Sequence, residues 1–262
     1  MSLTGKTLSA SYKDILQVDN SNNGVDTTLR IVKDGEGTQS ALKLCDDAVA
    51  ILPVNDNGTA TFNVFNNSGS QIFTVDTTNE LVTASGNYVN TQYSTFSICG
   101  AESTYFVDDT HHPLTFANSN YSASAFVPAF GTSTDPATTF TTAEGNGTRA
   151  SDLVPVMWFV PDAISIDSVT SFEGGDTAPG DTTRMHLFSY SFSSGSTSAL
   201  TSGTLLAHNS DTTNAGSEQA YKSTWTVDSA SVAANKVILA FFKSDSINSD
   251  YSINITVKYH LT

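Results

Sequence analysis

The chain has 262 residues, a formal net charge of −15 at pH 7 and only 14% charged side chains. Its 26 acidic residues against 11 basic ones would repel a phosphate backbone, which argues against nucleic acid as a partner. Ser and Thr together exceed a quarter of the sequence, and β-branched Thr with the 15 Phe favours strands over helices. We therefore expect an all-β protein, built as one large domain or as a smaller one with an accessory segment.

The first 90 residues contain short apolar runs between turn-forming sequences of Asp, Asn and Gly. Strand-like pieces at residues 41–44 and 48–52 follow the turn composition of residues 34–37. A hairpin is predicted around the sequence NNSG at residues 66–69, because apolar residues flank it on both sides. The flanking apolar residues are Phe62, Val64, Phe65, Ile72, Phe73 and Val75.

This N-terminal segment, residues 1–90, has few apolar side chains and cannot easily offset its own ordering entropy as a lone chain. Three copies wound about one axis would share a core, so we predict a homotrimeric shaft. The alternative is a floppy tail, which is disfavoured because the turns separate patterned strands rather than low-complexity sequence. The predicted trimer core consists of Phe62, Val64, Ile72, Phe73 and Val75.

Residues 91–262 contain longer strands of alternating character. The clearest is C-terminal, where one face of a predicted strand carries Tyr251, Ile253, Ile255, Val257, Tyr259 and Leu261. Residues 236–243 are more continuously apolar, and loops are predicted at residues 173–181, 193–203 and 209–217. Short strands joined in this way predict a jelly-roll-like β-sandwich head.

Two stretches of the N-terminal third resemble a known class of protein. Residues 3–44, LTGKTLSASYKDILQVDNSNNGVDTTLRIVKDGEGTQSALKL, resemble the opening of fibre-type structural proteins of tailed phages, particularly of marine bacteria. Residues 59–79, TATFNVFNNSGSQIFTVDTTN, are similar to the shaft units of such fibres. The resemblance implies a virion protein, commonly a homotrimer, that attaches by its N-terminal end to capsid or tail proteins. A head fibre, a tail fibre and a tail-hub component all fit it.

The sequence lacks the motifs of common enzymes: GxSxG, the P-loop, HExxH and a GxGxxG between strand and helix. His111-His112-Pro113 is interpreted as a polar turn rather than a metal site, since adjacent strand side chains point to opposite faces. Glu173, Asp176 and Asp181 form the closest carboxylate cluster for glycan hydrolysis, but they lie in a predicted solvated loop. We therefore expect no enzyme activity, no cofactor and no metal.

Sugar binding without hydrolysis needs only loop carboxylates or amides and an aromatic face. Trp158 and Trp225 lie within strand-like runs and are interpreted as core residues. The predicted ligand site therefore lies on the loops at residues 173–181 and 208–218, with a host-surface glycan as the ligand. The candidate ligand-binding residues are Glu173, Asp176, Asp181, Asn209 and Asp211.

Cys45 and Cys99 match neither a CxxC spacing nor a disulfide framework, and both are predicted to be small buried hydrophobes. Residues 1–10 lack the basic start and the apolar stretch of a signal peptide. The most apolar run, residues 153–160, is too short to span a bilayer. We expect a product without membrane insertion that assembles into virions in the host cytoplasm.

These observations predict a virion fibre with an attachment and shaft segment in residues 1–90 and an outward head in residues 91–262. A purely architectural component, such as a head decoration or a tail joint without host contact, is the first alternative. A secreted carbohydrate-binding module is the second, and the N-terminal sequence argues against it.

Overall fold

The computed structural model describes most of the chain and divides it into two compact units, Met1–Val89 (unit 1) and Asn90–Thr262 (unit 2). Apart from one 3₁₀ segment, Ala150–Val156, every regular element of the described residues is a β-strand, which confirms the predicted all-β class. None of the helical structure in this described part is long and apolar enough to cross a membrane. The described residues are 15–21, 23–101, 108–117, 150–175, 179–195, 200, 203–216, 219–245 and 251–262.

Two four-stranded antiparallel sheets make up the described part of unit 1, and each follows the chain order. The predicted hairpin at residues 66–69 is confirmed: Asn66 Oδ1 accepts hydrogen bonds from the backbone N–H of Ser68 and of Ser70, and Gly69 has a φ of 82°. The first sheet contains β1 (Gln17–Val18), β2 (Arg30–Lys33), β3 (Gln39–Leu44) and β4 (Val49–Ile51). The second contains β5 (Phe62–Phe65), β6 (Gln71–Asp76), β7 (Leu81–Ala84) and β8 (Asn87–Tyr88).

Unit 1 has almost no hydrophobic core of its own. Among its described residues Val32 is the one buried apolar side chain. A sheet needs a covered apolar face to be stable in water, and the described residues of unit 1 leave many large apolar groups exposed. The exposed large side chains of unit 1 are Leu16, Val25, Leu29, Val49, Ile51, Leu52, Val54, Phe62, Val64, Phe65, Ile72, Val82 and Val89.

Unit 2 is a sandwich of two antiparallel sheets. The principal strands run in the order β9-β21-β13-β17 in one sheet and β12-β20-β14-β15 in the other. This arrangement is that of an eight-stranded jelly roll, as predicted. The strands of unit 2 are β9 (Thr91–Ala101), β10 (His112–Pro113), β11 (Thr115–Phe116), β12 (Trp158–Val160), β13 (Ile164–Gly175), β14 (Thr182–Ser191), β15 (Thr204–His208), β16 (Thr212–Thr213), β17 (Gln219–Thr224), β18 (Thr226–Val227), β19 (Ser231–Val232), β20 (Lys236–Ser244) and β21 (Tyr251–Leu261).

The core between the two sheets holds both tryptophans, as the sequence predicted. Trp158 stacks on Phe116 with ring centroids 5.8 Å apart, and it also meets Tyr259 at 4.9 Å. Trp225 is 5% exposed and donates its Nε1 hydrogen to Ser171 Oγ at 3.0 Å. The buried indole N–H therefore has a partner inside the core.

A second apolar cluster covers the outer face of the sheet that contains β20. Val237, Leu239 and Phe241 point into this cluster, whereas Ile238 and Ala240 belong to the core between the sheets. Residues of the 3₁₀ segment, including Leu153 and Val156, pack over that outer face. Burial on both faces explains why residues 236–243 form a continuous apolar run rather than an alternating one.

The C-terminal strand follows its predicted alternation except at its end. Tyr251 to Tyr259 present every second side chain to the core, but Leu261 is 36% exposed, so its predicted burial is wrong. His260, which the alternation assigned to the polar face, is 6% exposed and pairs with Asp167 through Nδ1 and Oδ1 at 2.8 Å. A hydrogen-bond partner on β13 thus accompanies the burial of a side chain that the local pattern places outside.

Candidate functional site

A polar pocket of about 350 Å³ lies on the outer face of the sheet that contains β14 and β15. Arg184 and His186 of β14 form one wall, and His208 of β15 forms another with the loop that follows it. The volume lies at the lower end of the range for small-molecule sites. The remaining lining residues are Leu205, Asn209, Ser210, Asp211 and Asp228.

Arg184 and Asp211 form a two-pronged ion pair on the rim of the pocket. Arg184 Nε donates to Asp211 Oδ1 at 2.7 Å, and Nη2 donates to Oδ2 of the same carboxylate. The hydrogen bonds from Arg184 lower the pKa of Asp211 below its usual value. Because both side chains remain about a third exposed, the pair fixes the position of the loop more than it stabilises the fold.

His186 lines the pocket and is only 3% exposed. Its ring lies 6.5 Å from that of His208 and 5.4 Å from that of His111, measured between centroids. Burial, and then the neighbouring His111, lower the pKa of His186 to about 2. His186 is therefore a neutral imidazole at physiological pH. His208 instead pairs through Nδ1 with Asp228 Oδ2 at 2.7 Å.

Two of the five predicted ligand residues, Asn209 and Asp211, lie at this pocket. Asn209 is 2% exposed, and its side-chain amide forms hydrogen bonds with the backbone of β14. Its Oδ1 accepts from the Met185 N–H at 2.6 Å, and its Nδ2 donates to the Thr183 carbonyl at 3.3 Å. Asn209 therefore positions the loop, whereas Asp211 and Arg184 contribute polar atoms to the lining of the pocket.

The structure places the other predicted candidates elsewhere. Glu173 is in strand β13 and is 4% exposed, so its prediction as a solvated loop residue is wrong. The strand continues through Gly174 and Gly175 because both pair with β17, and a long ladder outweighs the weak strand preference of glycine. Asp181 lines the same small cavity as Glu173, away from the polar pocket. Asp176 lies outside the described residues.

The environment of the histidines at positions 111 and 112 differs from the one predicted from the sequence. Both are 1% exposed, and His112 lies in a strand rather than in the predicted polar turn, because His112 and Pro113 pair with β20. The pairing joins residues far apart in the chain, so no local pattern indicated it. Within the described ranges, no group of three or more His, Cys, Asp or Glu side chains is arranged to hold a metal ion.

Both cysteines are free thiols. Cys45 is partly buried, but Cys99 is exposed, so the prediction that Cys99 is a buried hydrophobe is wrong. Alternation along β9 turns Cys99 away from the core that its neighbour Ile98 contacts. Ser252 Oγ donates to the Cys99 sulfur at 3.6 Å.

Comparisons with known proteins add little to this geometry. No protein-family model matches the chain, and no curated protein matches its sequence. One solved structure with a weak likeness is described as "Structure of infectious bursal disease virus Gx strain". It is 10% identical with a TM-score of 0.19, over 84% of this chain and 46% of that chain. This chain thus spans less than half of that one, and the likeness supports no inference about function.

Proposed function

We propose that the chain is a virion structural protein, a homotrimeric fibre or appendage of a tailed phage. Unit 1 supplies the attachment and shaft segment, and the jelly roll of unit 2 is the part that meets the host surface. The observation that carries the proposal is an uncovered apolar face on the second sheet of unit 1. The resemblance of residues 3–44 and 59–79 to phage fibre proteins supports it independently.

Strand register assembles this apolar surface, which we call the shaft face. Phe62 pairs with Val75, and Val75 pairs with Val82. In the adjacent row Val64 pairs with Phe73, and Phe73 pairs with Ala84. Alternation within each strand directs all these side chains to one side of the sheet. The shaft face therefore consists of Phe62, Val64, Phe73, Val75, Val82 and Ala84.

Among the described residues, the shaft face is partly open to solvent. Phe62 is 42% exposed, Val64 39% and Val82 37%. Removing apolar surface of this kind from water lowers the free energy by about 25 cal/mol for each Å². A second and a third copy of the same face would supply that cover and close the assembly around one axis. The number of copies, three, rests on the resemblance to phage fibres.

Ile72 does not belong to the shaft face. It lies between Gln71 and Phe73 at an irregularity in the β5–β6 pairing, where no residue of β5 is opposite it, and it is 42% exposed. The trimer core proposed here thus keeps Phe62, Val64, Phe73 and Val75 from the sequence prediction. It replaces Ile72 by Val82 and Ala84.

The exposed shaft face also fits a purely architectural role, as a head decoration or a tail joint. In that case another virion protein covers the shaft face, and no host contact is made. The two functions differ in the behaviour of the isolated chain, because a joint stays monomeric until its partners arrive.

Light scattering of the purified full-length protein tests the proposal. The fibre account expects a mass three times that of the 27.7-kDa chain, maintained on dilution. A stable monomer would overturn the fibre account and favour the architectural joint. Electron microscopy of virions with antibody against the jelly roll then shows whether unit 2 is displayed at the particle surface.

A further inference from the structure

Glu173 is a buried carboxylate that links the two sheets of the jelly roll. Its Oε1 accepts hydrogen bonds from Thr212 Oγ1 at 2.8 Å and from Ser223 Oγ at 3.2 Å. Thr212 lies on β16, which pairs with β14 of the opposite sheet. The second oxygen, Oε2, is buried and has no hydrogen-bond partner among the described residues.

The Glu173 side chain lines a small cavity with room for one small ion or water, about 10 Å³. Asp181 and Asn214 line the same cavity, and neither Lys nor Arg is among the described residues that do. Gly175 lies directly against the cavity wall, since a Cβ there would come within 3.1 Å of the Tyr251 ring. A larger residue at position 175 would displace that ring.

Backbone hydrogen bonds hold the opposite side of the cavity in place. The Asn214 N–H donates to the Asp181 carbonyl at 2.8 Å, and the Gly180 N–H donates to the Asn214 carbonyl at 2.7 Å. The Asn214 side chain is 7% exposed, and its Oδ1 accepts from the Tyr221 hydroxyl at 3.1 Å. The cavity is thus bounded by oxygen atoms from both sheets and from the loops between them.

A buried carboxylate oxygen without a partner costs free energy unless a proton, a water or a cation satisfies it. Burial raises the pKa of Glu173 above its usual value, although the hydrogen bonds from Thr212 and Ser223 act in the opposite direction. Hard cations such as Ca²⁺ bind carboxylate, amide and hydroxyl oxygens in irregular geometry. Two carboxylates and neutral oxygens around a space for one atom match that preference.

We propose that this cavity, which we call the Glu173 site, binds a single Ca²⁺ ion, with Glu173 and Asp181 as carboxylate ligands and Asn214 as a neutral one. Bound Ca²⁺ connects β13 of one sheet to the loops beside β14 and β16 of the other. Two carboxylates are few for a calcium site, so we expect the affinity of extracellular modules, with a Kd of about 10⁻⁴–10⁻³ M. The ion stabilises the sandwich by mass action because the unfolded chain lacks the site.

Thermal unfolding of the full-length protein, stripped with EDTA and then titrated with CaCl₂, tests this proposal. We expect the Tm to rise by a few degrees at ten times the Kd. Tb³⁺ should replace Ca²⁺ and emit when Tyr221 and Tyr251, which line the cavity, are excited. The absence of both a Ca²⁺-dependent Tm and Tb³⁺ emission would overturn the proposal.

Two variants and a control locate the ion. Glu173→Gln and Asp181→Asn should each lose the Ca²⁺-dependent rise in Tm and the Tb³⁺ emission. Asp162→Asn removes an exposed carboxylate in the turn between β12 and β13 and should keep both. If the two site variants respond to Ca²⁺ as the wild type does, the ion binds elsewhere and the Glu173 site is refuted. If one of them does not fold, the other gives the answer.

Discussion

Phe62 and Phe73 meet edge to face across the β5–β6 hairpin, with ring centroids 6.3 Å apart and planes at 72°. Such aromatic pairs contribute about 0.5–1.5 kcal/mol beyond the free energy gained by burying their surface. Yet Phe62 is still 42% exposed, because the described residues leave its outer surface open to solvent. The pair marks the centre of the surface through which we propose that three copies assemble.

Substitution of Phe62 by Ala tests whether that surface is covered in the assembly. A buried Phe costs about 3–5 kcal/mol on truncation to Ala, far more than an exposed one. We expect Phe62→Ala to lower the unfolding midpoint strongly and the wild-type midpoint to rise with protein concentration. Urea unfolding at several concentrations measures both. A midpoint independent of concentration would contradict the assembly.

His186 makes the stability of the jelly roll depend on pH. The unfolded chain binds a proton at this histidine below about pH 6.5, whereas the folded protein does so only near pH 2. The stability provided by neutral His186 is therefore complete above pH 6.5 and is lost as the pH falls towards 2. Between these two pH values the free energy of unfolding falls by about 1.4 kcal/mol for each pH unit. Urea unfolding between pH 7 and pH 4 should show this slope, and His186→Phe should reduce it. An unchanged slope in the variant would show that other groups cause it.

The Trp225–Ser171 hydrogen bond lies inside the core and should behave as a coupled pair. Ser171 is fully buried, so Ser171→Ala leaves the indole N–H without its partner at a cost of about 1–3 kcal/mol. Trp225→Phe should cost more, because it also leaves a cavity. In the double variant we expect a loss smaller than the sum of the two, measured by denaturant unfolding. Strict additivity would mean that the hydrogen bond contributes nothing.

The polar pocket around Arg184 provides a prediction about host contact. Arg184→Met should change stability by less than about 1 kcal/mol, since exposed ion pairs contribute little. It should reduce binding of the trimer to host cells at least tenfold, because the Asp211 loop loses its anchor. Lys236→Met is the matched control, since Lys236 lies on the same sheet but does not line the pocket. Equal binding by both variants and the wild type would exclude the pocket from host recognition.

Local patterns in the sequence predicted those parts of the fold that depend on neighbours along the chain. The alternation from Tyr251 to Tyr259 and the turn at residues 66–69 are such parts, and both are confirmed. Local patterns failed where a distant strand decides the environment. His112 is buried by β20, and the pairing of Gly174 with Ala220 keeps Glu173 within a strand.

The candidate site was predictable only in part for the same reason. The loop after His208 was expected to carry ligand residues, and the structure brings Asn209 and Asp211 to one pocket. The partner of Asp211, Arg184, comes from a strand that the loop composition does not indicate. The hydrogen bond from the β14 backbone to the side-chain amide of Asn209 likewise depends on tertiary packing, which no local pattern indicates.

The shaft face is tested most directly by the solution masses of two charge variants, Phe73→Asp and Ile72→Asp, measured by light scattering beside the wild type. Both changes put an Asp on β6, but only Phe73 belongs to the shaft face. The account predicts a monomer of 27.7 kDa for Phe73→Asp, because it would bury an unpaired charge, and an intact trimer for Ile72→Asp. A trimer that survives Phe73→Asp would contradict it.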